Sequence, residues 1–462
     1  MLSVNGICQH FGSTTTSRQA IFIDQDGKAY VWGYNKSNFA LGTGDTTGMI
    51  RTPRAIDSSH RWVFATPTEL SGTFIDTDSN LYFTGKYHLP SLFGNDTLLT
   101  PTLFPNPVEV TGWKSASLYK GVSHIILSTD GKAFYWDGVE VKDPQLIEYP
   151  SGVQRWEEAV AGNEYYLLLG DNGRLYGFGR NRNGQLGNLN NNDTTKLTMV
   201  HNPIGVDKWK TMAVGGDAGI SMAIDESGSL YHWGKVIGQT QGADSGIYEP
   251  IKYSFTETWR DVMINSDEQI LALTTSGKLY VWGGSFAVMT GLNDGRTHLR
   301  EPTFLPFPSG VSQWSDISIS QNACYALDQD CNVWGWGYNS NNYSIGLPAD
   351  SGKEFSTPHL IKRFCQQNSV LSDKAEKNFI NMHVYPNPAS RVLTAEFTLI
   401  QRSVIDLELF DVLGRKVQTF ASMPFETGKC SLALNVSELS TGTYILRIQL
   451  GEQIESMSIV IE

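Results

Sequence analysis

Seven times along this chain an apolar run meets a turn built on Asp-Gly or a relative, then an aromatic residue and usually Trp-Gly. The clearest copies are FIDQDGKAYVWG (Phe22–Gly33), AIDESGSLYHWG (Ala223–Gly234) and LTTSGKLYVWG (Leu273–Gly283). With the turn residue as marker, the copies fall at positions 27, 79, 131, 173, 228, 277 and 331, a mean spacing of about 51 residues. A long period repeated this often makes each copy one supersecondary unit, which buries its apolar face only against its neighbours.

The register inside the unit is tight. Three residues past the marker stand Tyr30, Tyr82, Phe134, Tyr176, Tyr231, Tyr280 and Trp334. Five past it stand Trp32, Thr84, Trp136, Phe178, Trp233, Trp282 and Trp336. A further Trp precedes the marker by 17 to 19 residues in units two to seven: Trp62, Trp113, Trp156, Trp209, Trp259 and Trp314. These positions account for all twelve tryptophans, so the repeat governs where large aromatic side chains go. Their fixed places in every unit predict packing between units rather than a stacking platform for a ligand.

Alternating apolar residues on both sides of the marker predict a β-hairpin closed by a two-residue type I′ turn. Gly27, Gly131, Gly173, Gly228 and Gly277 supply the positive φ that such a turn requires. Units two and seven carry Ser79-Asn80 and Cys331-Asn332, where Asn tolerates that backbone region. The Trp-led stretch reads as a third strand. A stretch led by Pro, as in Thr357-Pro-His-Leu-Ile, reads as a fourth at the sheet edge, because Pro cannot donate to a ladder. Four strands repeated radially predict an all-β fold, a seven-bladed β-propeller over residues 1–366.

The pattern Trp…Ala-x-Gly…Asp-Gly-x-hydrophobic-aromatic-x-Trp-Gly resembles the regulator of chromosome condensation repeat. Unit four is the fullest copy, with Trp156, Gly162, Asn172-Gly173, Tyr176, Gly179, Asn181 and the Gly184-Gln185-Leu186-Gly187 loop. Leu41-Gly42 and Ile345-Gly346 are fragments of the same loop in other units.

After residue 366 the character changes. Residues 367–380 are polar and without periodicity, which predicts a linker, and no Trp follows Trp336. Residues 381–462 alternate short strands with turns and predict a small antiparallel β-sandwich. This tail resembles the C-terminal sorting domain of the type IX secretion system of Bacteroidota. The resemblance rests on Tyr385-Pro386-Asn387-Pro388-Ala389, on Leu409–Val417 with Asp411 and Gly414, and on Leu439–Arg447 with Gly442 and Tyr444. It implies a type IX translocon as partner, and attachment to the surface or release outside.

A general hold on nucleic acid needs a basic face, so the net charge of −12 disfavours nucleic acid as a partner. No apolar run reaches the 18 residues of a membrane-spanning helix. A monomer is expected. The first residues, MLSVNGICQHFGSTTTS, have no signal-peptide pattern, and back-projection of the repeat puts the first strand near Gln9. A truncated or misassigned start reconciles this with export; retention in the cytoplasm is the competing reading. Closing a ring brings Cys8 near Cys365, so a disulfide between them and two unpaired thiols both stay open.

Nothing in the sequence marks catalysis, a cofactor or a metal. The Asp-x-Asp turns (Asp24/Asp26, Asp76/Asp78, Asp328/Asp330) lack the remaining ligands of a calcium loop and fit turn chemistry instead. No catalytic, cofactor-binding or metal-binding residue is assigned. Variable segments 35–51, 87–101, 181–201, 237–248, 285–300 and 339–355 follow the Trp-Gly strand and are the candidate contact loops. The expectation is an exported, non-enzymatic protein whose loops bind an extracellular protein or glycan. The alternatives are a secreted hydrolase or lyase with its site on the propeller face, and guanine-nucleotide exchange, the activity of the repeat family's eukaryotic namesake.

Overall fold

The structure is a computed structural model. It describes residues 10–11, 17–35, 40–44, 46–56, 59–68, 70–86, 97–107, 109–119, 123–136, 144–215, 217, 219–237, 246–284, 286–340, 344–364, 379–399, 403–411, 415–426, 428–450 and 453–462. The chain divides into two compact units, Met1–Gln366 and Gln367–Glu462.

The first unit is a seven-bladed propeller of four-stranded antiparallel sheets, each made from one continuous stretch of chain. Blade four shows the plan: Trp156–Ala161, Tyr165–Gly170, Leu175–Gly179 and Thr194–Met199 lie side by side in chain order. The second strands are apolar and wholly buried, as in Tyr165–Gly170, whereas the fourth strands are largely exposed. First strands of successive blades touch from blade two round to blade seven and on to blade one, and the second strand of blade one meets the first of blade two, so the first strands are innermost.

Blade one begins at His10–Phe11, next to the position projected from the repeat. It meets blade seven without exchanging a strand. The Phe11 N–H donates to Asp316 Oδ2 at 2.9 Å, Trp32 Nε1 donates to the Tyr325 hydroxyl at 3.3 Å, and Ser344 Oγ donates to the Arg51 carbonyl at 2.8 Å. One core then runs through both blades, from Phe22 and Trp32 to Tyr325 and Phe364. Side chains therefore close the ring where no shared sheet does.

The hairpins differ from the predicted type. In blade one the last ladder pair is Ile23 with Ala29, the Asp24 N–H reaches Lys28 O and the Gly27 N–H reaches Asp24 O. Only Gly27 within that turn has positive φ, 77°, whereas type I′ needs two such residues. This is the three-residue loop, a type I turn completed by one left-handed residue. In blades two and seven the left-handed residue is Ser79 (φ 64°) or Cys331 (φ 61°), not the following Asn. Ser79→Gly should therefore stabilise the protein by about 0.5–1 kcal/mol, read as a rise in the denaturant midpoint at unchanged slope.

Proline placement is corrected too. Pro does not lead the outer strand but sits inside it, at a bulge. Val31 pairs with Arg54 and Gly33 with Ile50, leaving Pro53 in the irregular stretch; Pro101, Pro250, Pro302 and Pro358 repeat this. An edge bulge is where a missing N–H costs the ladder nothing.

The second unit is a sandwich of two antiparallel sheets. One holds Phe379–Tyr385, Val392–Leu399 and Gly428–Asn435; the other holds Lys416–Phe425, Ser403–Asp411, Gly442–Leu450 and Gln453–Ile461 in that order. Leu393, Ala395 and Phe397 face Ile405, Leu407, Leu409, Leu446 and Ile448 in a separate core. Phe379–Tyr385 is a strand that begins inside the stretch read as linker.

Candidate functional site: the loop rim and the axial channel

Because strands alternate in direction, the turn after each first strand and the loop after each third strand emerge at the same end. Of the six candidate contact loops only 181–201 is described throughout; the others lie partly outside the described residues. In that loop Asn181 organises the backbone. Its Oδ1 accepts the Leu186 N–H at 2.8 Å, and its Nδ2 donates to Asn188 Oδ1 and to Asn190 O, both at 3.0 Å.

The same loop reaches the next blade. Gln185 O accepts Trp233 Nε1 at 2.9 Å and Ser221 Oγ at 2.8 Å. Gly187, at φ 61°, lies so near that an added Cβ would stand 2.8 Å from Trp233 Nε1. The arrangement recurs where Met289 O accepts Trp336 Nε1 at 3.0 Å beside Gly291, and where Thr84 Oγ1 donates to Ala40 O beside Gly42. The turn at Gly291 escaped the sequence reading because Thr290 stands where the other copies have Leu or Ile. Trp32, Trp136, Trp233, Trp282 and Trp336 are all fully buried.

The opposite end carries the marker hairpins. Gly27, Gly131, Gly173, Gly228 and Gly277 hold their left-handed positions, φ 75–87°. The first carboxylate of each Asp-x-Asp pair is engaged in the turn itself. Asp328 Oδ1 accepts the N–H groups of Asp330 and Asn332, at 2.8 and 2.9 Å, while Oδ2 accepts Trp334 Nε1 at 2.8 Å. Asp76 repeats this with Asp78, Asn80 and the Tyr82 hydroxyl. Among the described residues no group of three or more His, Cys, Asp or Glu is placed to hold a metal ion.

Two residues past the first-strand Trp stand Ser115, Glu158, Thr211, Asp261 and Asp316, all half-buried on the innermost strands. No sequence window could reveal this row, since blades three to seven contribute one residue each, and blade two has Phe64 at the same place. Glu158 accepts Thr211 Oγ1 at 3.2 Å, and Asp316 accepts the Phe11 N–H, so side chains of one blade satisfy donors on the next. Burial pushes the Glu158 carboxyl up to about 7, with the Asp261 charge adding to it and the Thr211 hydrogen bond opposing it. Burial also pushes Asp316 up to about 7 and raises Asp261.

A carboxyl raised in the fold binds protons more tightly there than in the unfolded chain, so its contribution weakens as pH rises from about 4.5 to about 7. Half-buried His232, lowered to about 4 by desolvation, acts in the opposite sense between about 4 and 6.5. The stability advantage of Glu158→Gln over wild type should therefore grow from pH 5 to pH 8, measured by denaturant titration at each pH.

In the second unit the motif residues close the fold. Asn387 Nδ2 donates to Ser458 O at 3.0 Å and its Oδ1 accepts the Val460 N–H at 2.8 Å, fastening the last strand. Tyr385 donates to Glu396 Oε1 at 2.7 Å, and the peptides before Pro386 and Pro388 are cis. Asp411 accepts the Arg415 N–H and its Nε, at 2.9 and 2.7 Å, and Tyr444, two residues past Gly442, donates to Ser440 O at 2.9 Å. Gly414 lies outside the described residues, as do Cys8 and Cys365. Cys331 is disulfide-bonded, which the sequence reading did not anticipate; Cys324 and Cys430 are free thiols. Asn387→Ala should destabilise the sandwich by about 1–2 kcal/mol, measured by thermal unfolding.

The description "Secretion system C-terminal sorting domain" matches residues 383–462. "Regulator of chromosome condensation (RCC1) repeat" matches residues 158–185 and 172–221 in two versions. Protein pim1 of Schizosaccharomyces pombe is 22% identical over 362 residues, covering 74% of this chain and 60% of pim1. The E3 ubiquitin-protein ligase HERC2 of Mus musculus is 25% identical over 264 residues, covering 53% of this chain but only 5% of HERC2. Among solved structures, human WBSCR16 superposes with a TM-score of 0.62 at 17% identity, covering 72% of this chain and 94% of that one. Prp20p of Saccharomyces cerevisiae gives 0.58 at 16% identity, covering 76% and 87%. At these identities the likeness establishes the fold. No helix among the described residues is long and apolar enough to cross a membrane.

Proposed function

We propose that this chain, which carries regulator of chromosome condensation repeats and a type IX secretion sorting domain, is an exported recognition protein. Its loop rim binds a protein or glycan outside the cell, and its tail engages the type IX translocon. The observation that carries the reading is the pairing of a C-terminal sorting domain with a propeller whose loops gather at one end. The structure of Prp20p was described together with binding to Gsp1p and histones, which favours a protein as the ligand here. The disulfide at Cys331 fits an oxidising compartment.

The reading is non-enzymatic. The first Asp of each repeated pair is engaged in its own turn, and Glu158 and Asp316 are engaged in hydrogen bonds between blades. The test is capture of extracellular proteins and glycans on the full chain. A saturable partner supports recognition. Turnover of captured material would move the assignment to a hydrolase or lyase, and acceleration of nucleotide release from a small GTPase would move it to exchange.

A further inference from the structure

A cavity of about 140 Å³ opens on the loop rim between blades five and six, lined by Ile237, Gly283, Gly284, His298, Leu299 and Arg300. That is roughly five times a water molecule's share of liquid volume, room for one side chain. Its chemistry is mixed. Leu299 is buried and Ile237 half-buried, forming apolar wall, while His298 and Arg300 are exposed at its edge. Arg300 makes no hydrogen bond or ion pair among the described residues. The neighbouring cations Lys235 and Arg296 are already committed, to Glu268 and Asp294.

The glycine wall is bare backbone by necessity. Gly283 and Gly284 have φ of 71° and 73°, and a Cβ on either would run into Glu268 O or Gln269 Oε1. Gln269 is 1% exposed; its Nε2 donates to Trp282 O at 2.9 Å, and its Oε1 has no hydrogen-bond partner. An orphan acceptor thus lies behind the cavity wall. The backbone donors there are spent, because the Gly284 N–H donates to Glu268 O at 2.9 Å and Gly283 is paired in both flanking ladders. A phosphate cradle built from backbone N–H groups is therefore absent from this wall.

What the cavity offers is one free guanidinium fork, an imidazole and an apolar slot. A fork matches the two oxygens of a carboxylate, and a slot beside it suits the methylenes that carry the carboxylate. We propose that this cavity is the anchor point of the recognition face, receiving an acidic side chain of a protein partner, with Arg300 pairing its carboxylate and Ile237 and Leu299 covering its stem. The inference rests on the recognition reading and narrows it to a carboxylate-bearing protein. In a chain of net charge −12, Arg300 at the edge of this cavity is a cation with no ion pair among the described residues, which favours a carboxylate as its ligand.

The test titrates glutarate into the full-length protein, followed by amide NMR shifts, with glutaramide and inorganic phosphate as controls and Arg300→Glu and Arg182→Glu as variants. The expected result is saturable binding of glutarate, little of glutaramide or phosphate, a loss of about ten-fold or more in Arg300→Glu, and no loss in Arg182→Glu. Arg300 is exposed, so its variant keeps the fold, which its unfolding midpoint verifies. No saturation by glutarate, equal binding by Arg300→Glu, or preference for phosphate each overturns the proposal. Failure of the recognition reading looks different: glutarate still binds at Arg300, yet no extracellular partner is captured. A captured partner indifferent to Arg300→Glu keeps recognition and removes this anchor.

Discussion

Trp233→Ala is expected to destabilise the propeller by about 3–5 kcal/mol, because it empties a fully buried indole site and breaks a bond between blades at once. The indole packs 6.3 Å from Trp209 and sits in one core with Leu167, Leu186, Val200 and Tyr231, so residues of blades four and five both lose their partner. It also donates to Gln185 O, which truncation leaves with the Ser221 hydroxyl as its one remaining side-chain donor. Trp233→Phe should fall between wild type and the alanine variant, since the ring stays and only the donor goes. Gly187→Val approaches the same interface from the other side. It should cost stability through both its left-handed backbone and its collision with the Trp233 indole. Guanidinium denaturation reads all three. Equal stability of Trp233→Ala and wild type would contradict the account of how blades hold together.

The second large effect concerns destination rather than stability. Deleting residues 381–462 should abolish appearance of the protein outside the outer membrane while leaving the propeller folded inside. The two units have separate cores, so removal of one takes no apolar partner from the other. Fractionation of cells and medium, with protease accessibility on whole cells, measures it. Undiminished export of the truncated chain would contradict the sorting role of the tail. Asn387→Ala tests the same point more gently, since it loosens the last strand without removing it.

The sequence was most legible where one residue type recurs at one register. Trp at fixed distances from the marker placed blade boundaries because a buried indole has few other places to go. Turn type was misread at Asp26-Gly27, because the pair looks the same whether Gly ends a type I turn or sits inside a type I′ turn. Pro53 and its counterparts were seen as edge residues, yet their bulge depends on pairing across the sheet, which a local window cannot show. Phe379–Tyr385 passed partly for linker because a strand at the margin of a domain lacks a clear turn before it.

The candidate site was less legible for a physical reason. Glu158, Asp261 and Asp316 meet around an axis, more than 50 residues apart in sequence, and the fold alone makes them neighbours. The same holds for Ile237 beside Arg300. Cys331 gave no hint of its disulfide, because its marker position spoke only of a turn.

The central claim is that the loop end of the ring, and not the hairpin end, meets a partner outside the cell. Hydrogen-exchange footprinting of the full chain, alone and with its captured partner, tests it most directly. The account predicts slowed exchange in residues 181–201 and 286–300, with the hairpin turns around Gly173, Gly228 and Gly277 unchanged. Protection centred on those hairpin turns, with the loop end untouched, would contradict it.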